Sequence, residues 1–531
     1  MLRRPLLLFA LLALCLPAWA ADPATQWWAD VRALAHDDMK GRLTGTADYL
    51  RAADYVIGRL KAEGIRPAGT KGYLQQVSLE QQVVDQAASR ADLVAANGAV
   101  SPLKVGDDIL FSAGGGPRPA TIDAPLVFIG YGLHLPKQGH DDFAGQDLKG
   151  KIAVVLSGGP ADISGAIKSN ARFERSEALS KMGALGVISL TTPKQVEILW
   201  ERQKLLVRQP GMYLADAALR DIKGAFFGAT VDPAQAERLF QGSGHSFASL
   251  AALADASKPL PRFALPLRFK ASIAATRSRL SSPNIVGVLE GSDPKLRSQY
   301  ITLSAHLDHL GVGAAIKGDT IYNGAMDNAT GVASVLDIAR RLKSGPAPKR
   351  SVLFLFFTAE EKGLLGSSYF ARRPTVPKGA IVANMNLDMA LPLWPLKSVF
   401  SPGQEESTLG EDMRAVASIM GIAVTTDPMP DRNSFTRADQ YSFVREGIPA
   451  LFFKFGFARD TPQAKIERDW RANQYHSPSD DLDQPILKDE AVKLNALAAG
   501  IIRRVGDAQG RPQWVPGSIF AKDLPAPGKA K

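Results

Sequence analysis

Five short stretches carry the side chains able to do chemistry: His306-Leu-Asp308, Asp327-Asn328, Glu360-Glu361, Asp388, and His476 with Asp480-Asp481. Each sits where an element ends or begins. The apolar run Tyr300–Ser304 leads into His306, Asp327 lies just ahead of a helix pattern opening at Gly331, and the run from Ser351 ends in the paired glutamates. The run Ala380–Leu387 ends in Asp388, and His476 lies in a loop beyond the last strand signal. In open α/β sheets, ligands bind beyond the carboxyl ends of the strands. A strand-end aspartate alone is commonly a helix cap or turn former, and a lone histidine is commonly a surface residue. One imidazole or carboxylate at each of five element ends, on one edge of one sheet, is what a metal site needs.

The stretch Ser351–Glu361 states the problem most sharply. Seven of its first nine residues are apolar with no polar alternation, which reads as a strand buried on both faces. It then ends in two adjacent carboxylates. Burying charge costs several kcal/mol unless it is paired or bound to metal, so a cation is expected there. Two histidines and three carboxylates without a thiolate favour zinc over magnesium, which prefers oxygen and water. Five ligands exceed what one tetrahedral catalytic zinc takes. They suit two zincs sharing a carboxylate, about 3.5–4 Å apart. That arithmetic leaves one glutamate of the pair free to act as a general base.

The elements that must position these groups follow from periodicity. Trp27 to Leu34 reads as a short helix. Tyr49, Ala52, Ala53, Val56, Ile57 and Leu60 form an i, i+3, i+4, i+7 stripe ended by Gly64 and Pro67. From Ser281 onward strands and helices alternate: strands at 284–289, 300–304, 351–358, 380–387 and 449–453, a helix face of Val332, Val335, Leu336, Ala339 and Leu342, and a closing helix near 488–504. This is an α/β domain, doubly wound, with a mixed and mainly parallel sheet flanked by helices. Between about 95 and 275, short apolar runs such as 124–130 and 151–156 are bounded by glycine and proline, and 181–188 reads as a helix end feeding another strand, which suggests an inserted β-rich domain. His134, His140 and His245 lack carboxylates at useful spacing there and read as surface residues.

The division expected is a signal peptide at 1–20, a catalytic domain at 21–95 and 276–510, an insert at 96–275, and a disordered tail at 511–531, rich in proline, glycine, alanine and lysine. Arg3 and Arg4 precede an apolar run from Leu6 to Leu16, and Pro17-Ala-Trp-Ala20 offers a small-x-small cleavage site. The run is too short for a membrane span, and no later stretch reaches the roughly 18 apolar residues a span needs. The sole cysteine, Cys15, lies inside that run after Leu14, not after a small residue, which argues against a lipid anchor. Cleavage after Ala20 leaves no cysteine, which excludes disulfides, thiolate metal sites and cysteine nucleophiles. The chain is thus expected to be exported, to the periplasm or beyond. The net charge of +10 over 531 residues is dispersed, so a basic solvated surface is expected, not nucleic-acid binding. No G-x-S-x-G, H-E-x-x-H or Walker loop is present.

Taken in order, His306-x-Asp308, Asp327-Asn328, Glu360-Glu361, Asp388 and His476 resemble the M28 family of di-zinc metallopeptidases. The likeness is closest at Ala305–Asp308, Gly324–Asn328 and Tyr475–Asp480, and it extends over about 24–95 and 280–505. The region 95–275 resembles the protease-associated (PA) domain inserted in many of these enzymes, above all at Leu148–Val155 and Ala184–Ile188. The resemblance implies a zinc exopeptidase-like fold with two Zn2+ per chain. Asp327 would bridge the metals, His306 and Asp388 would complete one, and Glu361 and His476 the other. Glu360 would be the general base that deprotonates the bridging water and then protonates the leaving amine. Asp308 would orient the His306 imidazole. His309 has no role in the pattern and reads as structural or solvated. Asn433–Tyr441 resembles the family's pocket-lining segment. Some relatives carry histidine where Gln440 stands, so substrate contacts stay unassigned. The implied function is an exported aminopeptidase acting on peptides, its oligomeric state open. The alternatives are a carboxypeptidase, with Arg432 and Arg437 as candidates for a terminal carboxylate, a one-zinc glutaminyl cyclase, or a receptor-like binding module on the same fold.

Overall fold

The computed structural model describes residues 22–522. The expected signal peptide at 1–20 lies outside the described residues, as does the tail beyond 522.

Two helices open the chain, α1 (Pro23–Leu34) and α2 (Ala47–Ala62). The Thr46 hydroxyl accepts the Tyr49 N–H at 3.3 Å and caps α2. The stripe legible in its sequence is the face it buries: Tyr49, Ala52, Ala53, Val56 and Leu60. After a long strand β1 (Leu74–Ala95), the chain builds the insert and returns through β2 (Phe263–Leu289). Then follow β3 (Tyr300–His306), α3 (Thr330–Lys343), β4 (Ser351–Phe357), β5 (Ile381–Asn386), β6 (Ala450–Phe452), α4 (Pro462–Asn473) and α5 (Lys488–Asp507).

One sheet runs through the whole molecule. Its order is β6–β5–β3–β4–β2, continuing through the insert's strands Thr121–Phe128, Ile152–Leu156, Gly186–Leu190, Phe227–Val231 and Ile109–Phe111. β3 pairs in parallel with β4 and β5, β5 in parallel with β6, and β2 closes on β4 antiparallel. This is the mixed, mainly parallel α/β sheet expected. β2 belongs to both halves: its first part pairs with Thr121–Phe128 and its last part, from Ile285 to Leu289, with β4. The apolar cores remain separate, one built from residues of α1, α2 and the segments beyond 285, the other from residues between 84 and 273.

β4 explains why the site is rigid. All seven residues are buried. Val352, Phe354 and Phe356 join the core with α3 and α5, whereas Leu353, Leu355 and Phe357 pack on the opposite face with Phe370 and Phe443. A strand covered on both sides cannot slip register without exposing one full set of side chains, so its end is a fixed point.

Two differences from the sequence reading stand out. Residues 512–522, expected to be disordered, pack on the body. The Trp514 Nε1–H donates to the Gly447 carbonyl at 2.8 Å, and Phe520 is buried against Phe435. Two aromatic anchors outweigh the proline- and glycine-rich composition around them. His134 and His140, read as lacking carboxylates at useful spacing, lie against Asp141 at 2.9 Å and Asp142 at 3.1 Å. The partners come from a small hairpin pairing 134–135 with 140–141, a local fold that helical spacing rules do not anticipate. His245 stacks on Phe263.

The loops that leave the catalytic edge are knotted together by one buried guanidinium. Arg42 donates to the carbonyls of Leu307 at 2.9 Å, Leu34 at 2.6 Å, Asn323 at 2.7 Å and Gly324 at 2.9 Å. Burial pushes its pKa down to about 10, opposed by Asp480, Asp327, Asp308 and Glu361. Replacing Arg42 by Met keeps the bulk and strands those carbonyls. The variant should lose about 3 kcal/mol or more of stability, since each unsatisfied buried group costs roughly 1–3 kcal/mol. A thermal midpoint within 2 °C of the parent, roughly the shift of a small fraction of that loss, would refute this role.

Candidate metal centre

The carboxyl ends of β3, β4 and β5 lie side by side, so His306, the turn carrying Glu360 and Glu361, and Asp388 are neighbours because the strands are. Asp327 enters from the kinked segment Ala325–Ala329 ahead of α3, and His476 from the loop after α4. The two oxygens of Asp327 face in different directions. Oδ1 lies 3.2 Å from His306 Nε2, and Oδ2 lies 3.3 Å from His476 Nε2. His306 Nε2 is also 3.6 Å from Asp388 Oδ1, and His476 Nε2 is 3.1 Å from Glu361 Oε2. Two three-residue sets thus share Asp327: His306 with Asp388, and His476 with Glu361.

These separations test whether a metal fits. With zinc–ligand bonds of 2.0–2.1 Å, two donors on one tetrahedral ion sit roughly 3.3 Å apart. The observed 3.1–3.6 Å separations match that edge. The charge state agrees. Burial pushes the Glu360 carboxyl well above the usual range, with Asp388, Glu361 and Asp439 adding to it against His306. Asp439 is pushed up to about 7, by burial first and then by Asp388 and Asp308, against His306 and the Ser367 hydroxyl, and its oxygens make no well-formed hydrogen bond. Crowded buried carboxylates with orphaned oxygens are what cations would relieve. The imidazole and carboxylate donor set suits zinc.

What holds each ligand is specific. The Asp480 carboxylate accepts the N–H of Met326 at 2.8 Å and of Asp327 at 2.9 Å, and the Gln484 side chain binds it at 2.6 Å. Asp480 therefore fixes the main chain of the shared ligand. Gly324, at φ 59°, lets that segment turn against the His309 ring, where a β-carbon would collide. Lys454 donates to the carbonyls of Asp388 at 2.7 Å and Met389 at 2.8 Å, and burial pushes its pKa down to about 8. The Tyr475 ring stacks on His476 at 3.8 Å.

Asp308 does not act as the resemblance implies. His306 Nδ1 meets the Asp308 main-chain carbonyl at 3.0 Å, not its carboxylate. The carboxylate instead accepts the Glu360 N–H at 3.0 Å and the Thr44 hydroxyl at 2.9 Å, while the Thr44 oxygen takes the Ala359 N–H at 3.1 Å. The strained turn at Ala359, φ 55°, is thus pinned by Asp308 and Thr44 together. Asp308 aims the glutamate pair; the imidazole is oriented by backbone.

His309 is a residue the sequence reading passed over. It is fully buried, not solvated, and its Nδ1 lies 2.6 Å from Glu361 Oε1 and 4.0 Å from Asp327 Oδ2. His309, Asp327 and Glu361 also cluster closely enough to hold an ion. His476 is nearer to Asp327, at 3.3 Å against 4.0 Å, and meets the other oxygen of Glu361, so the two imidazoles flank that carboxylate from different sides. A second imidazole three residues beyond His306, in the same strand-end loop, was the available signal.

Residues 284–502 match the model of peptidase family M28, and the resemblance drawn from the motifs holds over that region. Among curated relatives, the chain is 26% identical over 249 residues to aminopeptidase YwaD of Bacillus subtilis, covering 46% of this chain and 49% of that protein. It is 26% identical over 234 residues to leupeptin-inactivating enzyme 1 of Streptomyces exfoliatus, covering 42% and 48%. The chain therefore spans about half the length of these relatives. A solved aminopeptidase from Aneurinibacillus sp. strain AM-1 superposes with a TM-score of 0.53 at 19% identity, covering 92% of this chain and 95% of that one. That likeness is one of fold.

Asp480→Ala should loosen the shared ligand without touching the donor atoms. Loss of an outer-sphere partner typically lowers metal affinity by about 10–100-fold. Zinc retained after dialysis against a graded chelator reads this directly, and retention equal to the parent would show that Asp480 does not position Asp327.

Proposed function

We propose that this chain is an exported zinc-dependent aminopeptidase that removes N-terminal residues from peptides. The observation that carries the reading is Asp327, whose two oxygens each face a different imidazole, with Asp388 completing one set and Glu361 the other. In this reading Asp327 would be shared between two Zn2+, with His306 and Asp388 holding the first and Glu361 and His476 the second. When bound, such a pair supplies Lewis-acid polarisation of the scissile carbonyl and lowers the pKa of a water held there.

The protein's own residues do the rest. The Glu360 side chain makes no hydrogen bond among the described residues, and its Oε2 lies 3.9 Å from His306 Nε2. It is beside both ligand sets and bound into neither. Burial raises its pKa well above the ordinary carboxylate range, the direction a proton carrier needs. Glu360 takes a proton from the attacking water and delivers it to the departing amine. Asp308 and Thr44 hold the turn so that Glu360 reaches the reacting atoms while Glu361 points to His476. Met389, Phe452 and Tyr475 line the recess above these groups.

The division into a catalytic unit at 21–95 and 276–510 and a PA-like insert at 96–275 belongs to this proposal, supported by the two separate apolar cores. Export rests on the signal sequence at 1–20. No helix among the described residues is long and apolar enough to cross a membrane.

Glu360→Gln keeps the shape and removes the proton acceptor. Hydrolysis of aminoacyl reporters should fall by about 10²–10⁴-fold while zinc content stays at the parent level. Chelation should abolish the parent activity, and added zinc should restore it. Near-parental turnover by the Gln variant, or N-blocked peptides cleaved as fast as free ones, would overturn the proposal.

A further inference from the structure

The recess over the ligands is lined by four cationic side chains: Lys454, which is given over to the Asp388 and Met389 carbonyls, and Arg432, Arg437 and Arg471, in the same recess as Asp327, Glu360 and His476. Their partners do not balance them. Arg432 Nη1 holds both oxygens of Glu467, at 2.7 and 2.6 Å, and Arg471 Nε binds the same carboxylate. Arg437 Nη1 binds Glu197 at 2.9 Å, and Arg432 Nε approaches it at 3.7 Å. Three guanidiniums therefore share two carboxylates. Arg471 is the member left over, because neither of its terminal nitrogens has a partner among the described residues. Its side chain is 11% exposed, so the open end of the fork meets the recess while the rest of the side chain is buried.

The position of the excess charge gives it meaning. The guanidinium carbons of Arg437 and Arg471 lie 5.9 and 5.6 Å from the centre of the Tyr475 ring, and that ring stacks on His476. The free nitrogens are thus one aromatic ring away from a metal ligand. Metals do not cancel the excess: two divalent cations would neutralise Asp327, Glu360, Glu361 and Asp388 and leave the arginines as they are. A mostly buried guanidinium with an open fork fits the two oxygens of a carboxylate. Phe452 and Met389 in the same recess supply apolar surface for a short aliphatic stem.

We propose that this recess selects a substrate carboxylate beside the scissile bond, with Arg471 as the residue that binds it, and that the preferred substrates are peptides with glutamate or aspartate at the cleaved N-terminal position. Arg432 and Arg437 set the fork in place through Glu467 and Glu197. This deepens the aminopeptidase reading and rests on it. The same carboxylate could be presented by the free C-terminus of a dipeptide, and the assay separates the two sources.

The zinc-loaded full chain is assayed on Glu-, Asp-, Gln- and Leu-reporters, on Leu-Gly against its C-terminal amide, and on N-acetylated peptides. The Glu reporter should exceed the Gln reporter in kcat/KM by about 10–100-fold, the range of one charge-assisted contact. In Arg471→Met that ratio should collapse toward one through a rise in KM for Glu, and Arg471→Lys should retain part of it. A general loss of folding or activity lowers both reporters and does not move the ratio. Equal cleavage of Glu and Gln reporters, or a ratio unchanged in Arg471→Met, overturns the proposal. So does a preference confined to free-carboxylate dipeptides or N-acetylated peptides. Should the parent cleave nothing, the aminopeptidase reading fails separately. Calorimetry with free glutamate and glutamine then tests the recess alone: glutamate binding that is lost in Arg471→Met upholds the subsite, and equal or absent binding of both overturns it.

Discussion

The structure turns on one carboxylate set between two imidazoles. Asp327 can face His306 with one oxygen and His476 with the other only if its backbone is held while three separate chain segments converge. His306 arrives on a buried strand, His476 on a loop some 170 residues later in the chain, and neither contacts the other's element in sequence. Asp480 resolves this by belonging to the same loop as His476 while accepting the main-chain N–H groups of Met326 and Asp327. One loop therefore supplies a ligand and locks the shared ligand at once. Arg42 performs the matching task from below, joining carbonyls from the end of α1, the loop after β3 and the segment ahead of Asp327. A guanidinium suits this because its donors form a fixed planar fork, so the loops cannot shift independently.

The insert is tied into this arrangement and does not merely sit beside it. Arg202, on the short helix Trp200–Leu206, donates to the carbonyls of Ala472 and Tyr475, the turn that presents His476. Glu197, just ahead of that helix, reaches Arg437 and Arg432 over the recess. Two cross-domain contacts thus bear on the far ligand and on the wall above it. The shared sheet makes the attachment stiff, since β2 is a single strand that pairs with the insert at one end and with β4 at the other.

Much of this was legible from residue order. The apolar run of β4, the polar residues at the ends of β3 and β5, and the stripe on α2 each follow from a single rule about burial, and each element lies where its pattern predicts. What escaped was whatever depends on which atom of a residue is used. Asp308 reads as a partner for the His306 ring because it is two residues away, yet the ring meets its carbonyl and the carboxylate goes to the Glu360 amide. His309 reads as structural or solvated because no spacing rule gives it a partner, and the turn after β4 brings Glu361 onto it. Arg42 and Trp514 were invisible for the same reason. Their partners are main-chain carbonyls, which every sequence contains everywhere.

The glutamate pair shows how neighbours of one residue type come to differ. Both side chains are buried, and both feel the same crowd of negative charge. Glu361 is drawn below the ordinary carboxylate range because His476 and His309 each face one of its oxygens, overcoming burial and the repulsion of Asp327. Glu360 has no such partner, so burial dominates and its carboxyl is pushed well above the ordinary range. The difference cannot come from the chain on either side, which is common to both. It comes from the pinned turn at Ala359, which sends consecutive side chains in different directions, one into two imidazoles and one into the open recess. A carboxylate saturated by histidines can hold a cation but has no free oxygen with which to carry protons. A carboxylate facing space has one. The difference between the two side chains is thus a property of backbone direction, enforced by the Asp308 and Thr44 hydrogen bonds.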